Sequence, residues 1–233
     1  CFSFAAACSS VRRMFDVYIA FHARMRPRAV AILTPRRRVT YAQFNDDVNR
    51  YAAAFMEMGI TPASGVVALE TRRPYRHHVM LMALARLGVA AGTASDTLCE
   101  LKLSDLAGAE TDRVRRLTAD WLAAVEARPP VEVPSAPRDL ESLGRVLLSS
   151  GTTGTPRRVP STWRQRLDRG ASNMATDIRG KLGVWAILPG LDSGMGYNLT
   201  VLGLSQGVTM ATGFGAGDLV GVMERNPEGI LGL

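Results

Sequence analysis

The stretch Val146-Leu147-Leu148-Ser149-Ser150-Gly151-Thr152-Thr153-Gly154-Thr155-Pro156-Arg157 has a chemical logic of its own. An apolar run suited to a strand gives way to a loop of small residues, whose backbone amides can approach and cradle an anion. Ser149, Ser150, Thr152, Thr153 and Thr155 add five hydroxyl donors, and Arg157 adds a fixed positive charge. The ensemble suits a polyphosphate. It is not a Walker A loop, because Gly151 and Gly154 do not keep that spacing and no Gly-Lys-Ser/Thr follows.

Other reactive residue types form no comparable constellation. Ser193 lies in Asp192-Ser193-Gly194 rather than in a Gly-x-Ser-x-Gly elbow, and no His follows it, which argues against a hydrolase triad. His77 and His78 are adjacent on an expected helix, so they point about 100° apart and cannot easily share a metal. With His22 alone elsewhere and no Cys cluster, no metal ligands are assigned. Cys1, Cys8 and Cys99 make an odd, unpatterned set, which fits a reducing compartment and predicts a cytoplasmic protein.

Composition narrows the class. The 233 residues are 47% apolar and 21% charged, the profile of a globular chain and not of a disordered or collagen-like one. No run approaches the roughly 20 apolar residues of a membrane span. The net charge is +7, and only Lys102 and Lys181 among the 28 basic residues are lysines. The arginines are scattered in twos and threes among acids, a weak match to a dedicated nucleic-acid surface; such a surface ranks third among the functional readings.

The elements that must position the loop alternate. Residues 11–26 suit a helix ended by Pro27. Ala29–Leu33 and Arg38–Tyr41 read as strands joined by a turn at Pro35-Arg36-Arg37. Thr40 and Gln43 form a capping box for a helix whose apolar residues, Tyr41, Phe44, Val48, Tyr51, Phe55 and Met58, recur every three or four positions up to Gly59. Val66–Leu69 predicts a buried strand, 75–87 a helix, and Val89–Thr93 another short strand. Residues 98–127 read as mostly helical with a break near Gly108, and 129–137 as a proline-rich connector, the one internal boundary. Gly144–Leu148 is expected as a strand, 162–180 as a helix, Val184–Leu188 as a strand, Met195–Leu204 as a helix and Val208–Thr212 as a strand. The pattern predicts an α/β protein with largely parallel sheets flanked by helices. Ligands of such sheets sit beyond the carboxyl ends of the strands, where the loop after Leu148 lies.

The Ser149–Arg157 stretch resembles the phosphate-binding signature of the AMP-forming adenylate synthetases, Ser/Thr-Ser-Gly-Thr-Thr-Gly-x-Pro-Lys-Gly, with Arg157 for Lys. This superfamily includes acyl-CoA synthetases, aryl-CoA ligases, luciferases and peptide-synthetase adenylation domains. The resemblance extends over most of residues 11–212, through Val39-Thr40-Tyr41-Ala42-Gln43-Phe44, Val66-Val67-Ala68-Leu69 and Met82-Ala83-Leu84-Ala85-Arg86-Leu87-Gly88 in the family's order. It implies the front part of an AMP-binding N-terminal domain, here a single partial domain over 1–233.

The function the resemblance implies is ATP-dependent activation of a carboxylic acid to an acyl-adenylate. The acyl group then passes to coenzyme A or a phosphopantetheine carrier thiol. Ser149, Ser150, Gly151, Thr152, Thr153, Gly154, Thr155 and Pro156 would hold the β- and γ-phosphates, and Arg157 would act catalytically by neutralising the leaving pyrophosphate. Asp192, Ser193, Gly194 and Tyr197, within 188–197, would border the acyl pocket, and Mg2+ is implied with ATP. Three departures stand out: Arg158 replaces the family's Gly, Trp163 replaces a His, and Asp192 stands where a Pro-x-x-His segment is usual. Arg158 places a Cβ where the family's glycine allows unusual dihedrals, and Asp192 would repel a carboxylate substrate unless protonated or paired. Segments for adenine, ribose and the C-terminal lysine find no match. The expectation is therefore an N-terminal fragment, inactive alone, whose partner is the rest of the same protein. The alternative is a non-catalytic remnant or nucleotide-binding module.

Overall fold

The computed structural model describes residues 15–149, 156–174, 183–187 and 190–225. It opens with helix α1 (Phe15–Met25) and the antiparallel pair β1 (Val30–Leu33) and β2 (Arg38–Thr40). Helix α2 (Tyr41–Glu57) follows directly. Its capping box is complete: the Thr40 hydroxyl accepts from the Gln43 N–H and the Gln43 side chain accepts from the Thr40 N–H. Gly59, at φ 77°, takes the left-handed turn just beyond it.

Strand β3 (Val66–Glu70), helix α3 (Pro74–Arg86) and strand β4 (Ala90–Gly92) form a parallel β-α-β unit. The segment expected as largely helical departs from that reading. Residues 101–116 contain two strands, β5 (Leu101–Ser104) and β6 (Val114–Arg116), and only α4 (Ala119–Ala127) is helical. The spacing of Leu101 and Leu103 is a strand's, in a run too short to decide alone, and parallel pairing with β3 settles it, in register Val67↔Leu101 and Leu69↔Leu103. The Ser104 hydroxyl and Lys102 ammonium then reach Glu70 on that neighbour, at 2.6 and 3.8 Å.

Strand β7 (Leu143–Ser149) is followed by β8 (Arg157–Thr162), which has no counterpart in the sequence expectation and pairs antiparallel with it. Helix α5 (Trp163–Met174), strand β9 (Val184–Ala186), helix α6 (Gly194–Gln206), strand β10 (Thr209–Ala211) and helix α7 (Ala216–Arg225) complete the described chain. The expected helix residues 11–14 and 175–180 and the strand end Leu188 lie outside the described residues, as do Cys1 and Cys8.

Two mostly parallel sheets result, ordered β2-β1-β10-β9 and β6-β5-β3-β4-β7-β8. The pleat assigns their faces. Val67 and Leu69 of β3 and Trp185 of β9 join one large core shared with α1, α2, α3 and α6. Val66 and Ala68 face a smaller cluster with Ala90 and Val146, while Val184 and Ala186 face Val222 of α7. Both sheets thus bury one face against the same helices. No helix among the described residues is long and apolar enough to cross a membrane.

Gly144 shows how tightly β7 is seated. A Cβ added there would fall 2.8 Å from Cδ2 of the fully buried Trp163. We expect Gly144→Ala to destabilise the fold by about 1–3 kcal/mol through overpacking, read as a lower urea midpoint at unchanged slope. An unchanged midpoint would show that the indole yields freely.

Candidate active site

The β7–β8 hairpin defines the site. Val146, Leu147 and Leu148 carry β7 outward from the core, and the last cross-strand pair is Ser149↔Arg157. These two residues therefore stand on opposite posts of the connection between the strands, with Pro156 exposed beside Arg157. Ser150, Gly151, Thr152, Thr153, Gly154 and Thr155 lie outside the described residues. Arg157 is exposed, free of any salt bridge among the described residues.

Arg158 corrects one expectation. It lies in extended backbone opposite Leu148, and no described non-glycine residue has positive φ, so the lost glycine imposes no strain. Its guanidinium instead meets the Asp96 carboxylate at 3.1 Å and ties the hairpin to the turn after β4. Trp163, where the family has a His, is core: it packs on Gly144, with the Arg138 guanidinium 4.8 Å from its ring.

The segment after β9 supplies the second wall. Ser193 caps α6: its hydroxyl donates to the Gly190 carbonyl and accepts the Gly196 N–H, both at 2.9 Å. Gly194 faces Leu147. Tyr197 is buried, its ring flanked by the guanidinium groups of Arg145 at 4.7 Å and Arg166 at 5.4 Å. Asp192 Oδ1 is buried without a hydrogen-bond partner, 4.0 Å from Nε2 of His77, which also lacks one. Burial raises the Asp192 pKa, opposed by the charge of Arg145.

Sequence reasoning missed Arg145 and Arg166. Arg145 is fully buried on β7 and donates to the carbonyls of Leu191 at 2.8 Å and Gly92 at 3.4 Å. A lone Arg inside an apolar strand is the signal that could have revealed it. Arg166 donates to Asn198 Oδ1 at 3.1 Å. It lines a groove of about 650 Å3 that also contains Leu147, Ser149, Val159, Arg169, Gly194 and Leu199. The groove brings Ser149 and Gly194 to one place, whereas Asp192 and Tyr197 are not among its lining residues.

Burial pushes the His77 pKa down to about 3, helped by His78 and Arg145. The unfolded chain takes up this proton below about pH 6.5 and the native state refuses it, so stability falls as pH drops from there towards about 3. We expect His77→Gln to remove on the order of 1–2 kcal/mol of the loss between about pH 7.5 and 5. Parallel urea curves for wild type and variant at both pH values check this, and identical losses would place the titration elsewhere.

Comparison with known proteins agrees with this architecture. Residues 19–106 match the family model of the AMP-binding enzymes. Over 162 residues, 61% of the chain, it is 27% identical to malpinin synthetase of Mortierella alpina, of which it covers 2%. The inhibitor-bound N-terminal domain of FACL13 from Mycobacterium tuberculosis superposes with a TM-score of 0.74 at 21% identity, over 91% of this chain and 60% of that one. The o-succinylbenzoate coenzyme A synthetase of Bacillus subtilis, in complex with ATP and magnesium ion, gives 0.71 at 15% identity, over 90% and 60%. The chain thus spans less than two thirds of the length of each of these relatives. Residues 19–106 carry the AMP-binding enzyme pattern, and the chain as a whole has the α/β fold of acyl-CoA synthetase-like N-terminal domains.

Proposed function

We propose that this chain is the phosphate- and acid-binding part of a ligase that activates a carboxylic acid with ATP. The observation that carries the reading is the β7–β8 hairpin: it sets Ser149 and Arg157 at the base of the small-residue loop, beside a groove large enough for an organic acid. In the reaction a carboxylate oxygen attacks the α-phosphorus, the bond to the β-phosphate oxygen breaks, and pyrophosphate leaves. The acyl-adenylate then yields its acyl group to a thiol, of coenzyme A or a carrier, with release of AMP.

Ser149 and the loop through Thr155 hold the distal phosphates, and Arg157 opposes the charge that gathers on the departing pyrophosphate. Magnesium, when bound, shields the triphosphate. Among the described residues no group of three acidic, Cys or His side chains is gathered to hold a free ion, so the ion fits as a companion of ATP. Asp192 is outside the groove's lining and its charge is opposed by Arg145, which weakens its repulsion of an incoming acid. The whole of 1–233 acts as one partial domain in a cytoplasmic protein, completed by further residues of the same polypeptide, and needs no nucleic acid.

A second reading, a nucleotide-binding module without turnover, draws on the core roles of Trp163 and Tyr197 and the capping role of Ser193. Carboxylate-dependent pyrophosphate exchange, measured after a downstream segment carrying the adenine, ribose and lysine motifs is added back, separates the two. Arg157→Ala should weaken ATP by about 1–3 kcal/mol and AMP far less, because AMP lacks the distal phosphates. Calorimetry giving equal, unchanged affinities for both nucleotides would overturn the phosphate assignment.

A further inference from the structure

The groove beside Ser149 has an unusual charge pattern. Its walls are largely apolar, from Leu147, Leu148, Val159, Met195 and Leu199, yet Arg166 and Arg169 enter it from α5 and none of its described lining residues is Asp or Glu. Neither arginine makes a salt bridge among the described residues. Arg166 spends one N–H on Asn198, while its Nε is sealed from water with no hydrogen-bond partner. Placing two guanidinium groups together with no counter-ion among the described residues is costly, and burial together with the charge of Arg169 lowers the pKa of Arg166, opposed by Tyr197. An anion bound between them would relieve both costs.

Position completes the picture. Ser149 pairs with Arg157 at the loop end of the hairpin, and Leu143 pairs with Thr162 at the other end, where α5 begins. Six residues of strand, about 20 Å, separate Leu143 from Ser149, so Arg166 and Arg169 are carried by an element that begins at the end of the hairpin away from the phosphate loop.

We propose that the acid held in this groove carries a second anionic group at its far end, a dicarboxylic acid with an apolar middle, and that Arg166 and Arg169 select it. This rests on the acid-activating reading above, but its test needs no nucleotide. Calorimetric titration of the chain with suberate and with octanoate, which share one carbon skeleton, should show suberate binding at least about tenfold more tightly, the worth of one charge-assisted hydrogen bond. Arg169→Gln, at an exposed position that leaves the fold intact, should erase most of that preference without changing octanoate affinity. Arg166→Gln should do the same. Arg157→Ala should keep the preference for suberate over octanoate, which share the reacting carboxylate, while weakening ATP, so that failure of ATP binding there and failure of the diacid preference are read separately.

Equal affinities for the two acids would overturn the proposal. So would a suberate preference that survives both substitutions. Coenzyme A binding that disappears in both arginine variants, with suberate ignored, would overturn it by assigning the arginines to the acceptor's phosphates.

Discussion

A buried cation holds the candidate site together. Arg145 has no solvent exposure and makes no salt bridge among the described residues. Its charge is accommodated by the carbonyls of Gly92 and Leu191 and by the face of Tyr197. Gly92 ends β4 in one sheet, Leu191 follows β9 of the other, and Tyr197 is on α6 between them. One side chain therefore fixes the spacing between the phosphate-loop strand and the segment that walls the groove. Removing one partner of a buried charge typically costs 3–5 kcal/mol. The arrangement of Asp192, Tyr197 and Arg166 depends on it.

The proline-rich stretch 129–137 acts at longer range. It contains no helix or strand, yet its backbone is pinned: Val133 N–H donates to Asn49 Oδ1 at 3.1 Å and Ala136 N–H to the Arg86 carbonyl at 2.8 Å. Arg86 in turn donates to Asn49 and Asn45, and its guanidinium lies 3.9 Å from the buried Asp16 carboxylate. Just beyond the stretch, Arg138 faces Asp16 at 3.8 Å and stacks over Trp163. Because Trp163 seats Gly144 at the start of β7, packing around α1 and α2 reaches the hairpin through this strap.

The departures from the family signature each find a structural use. Arg158 exchanges backbone freedom for an ion pair with Asp96, Trp163 exchanges a polar ring for core volume, and Asp192 is outside the groove's lining with a neutral imidazole beside it. The hydroxyl of Ser193 and the ring of Tyr197, both expected at a substrate pocket, are engaged in capping and stacking.

Local signals in the sequence determined much of this protein. The Thr40–Gln43 box and the three-four apolar spacing define α2, the continuous Val66–Leu69 run defines a strand buried on both faces, and small residues bounded by Ser149 and Arg157 mark the connection between β7 and β8. These features depend on near neighbours, where propensity and steric freedom act directly. Only tertiary structure decided the rest. Leu101–Ser104 is a strand because β3 and β6 flank it, and Arg157–Thr162 is one because β7 offers an open edge; neither has a length or period that settles the matter alone. Arg145, Arg166 and Arg169 read as three more arginines in an arginine-rich chain. What separates them is where they stand, Arg145 buried between the two sheets and Arg166 and Arg169 along the groove, properties of space and not of spacing, set when two sheets close on the same helices.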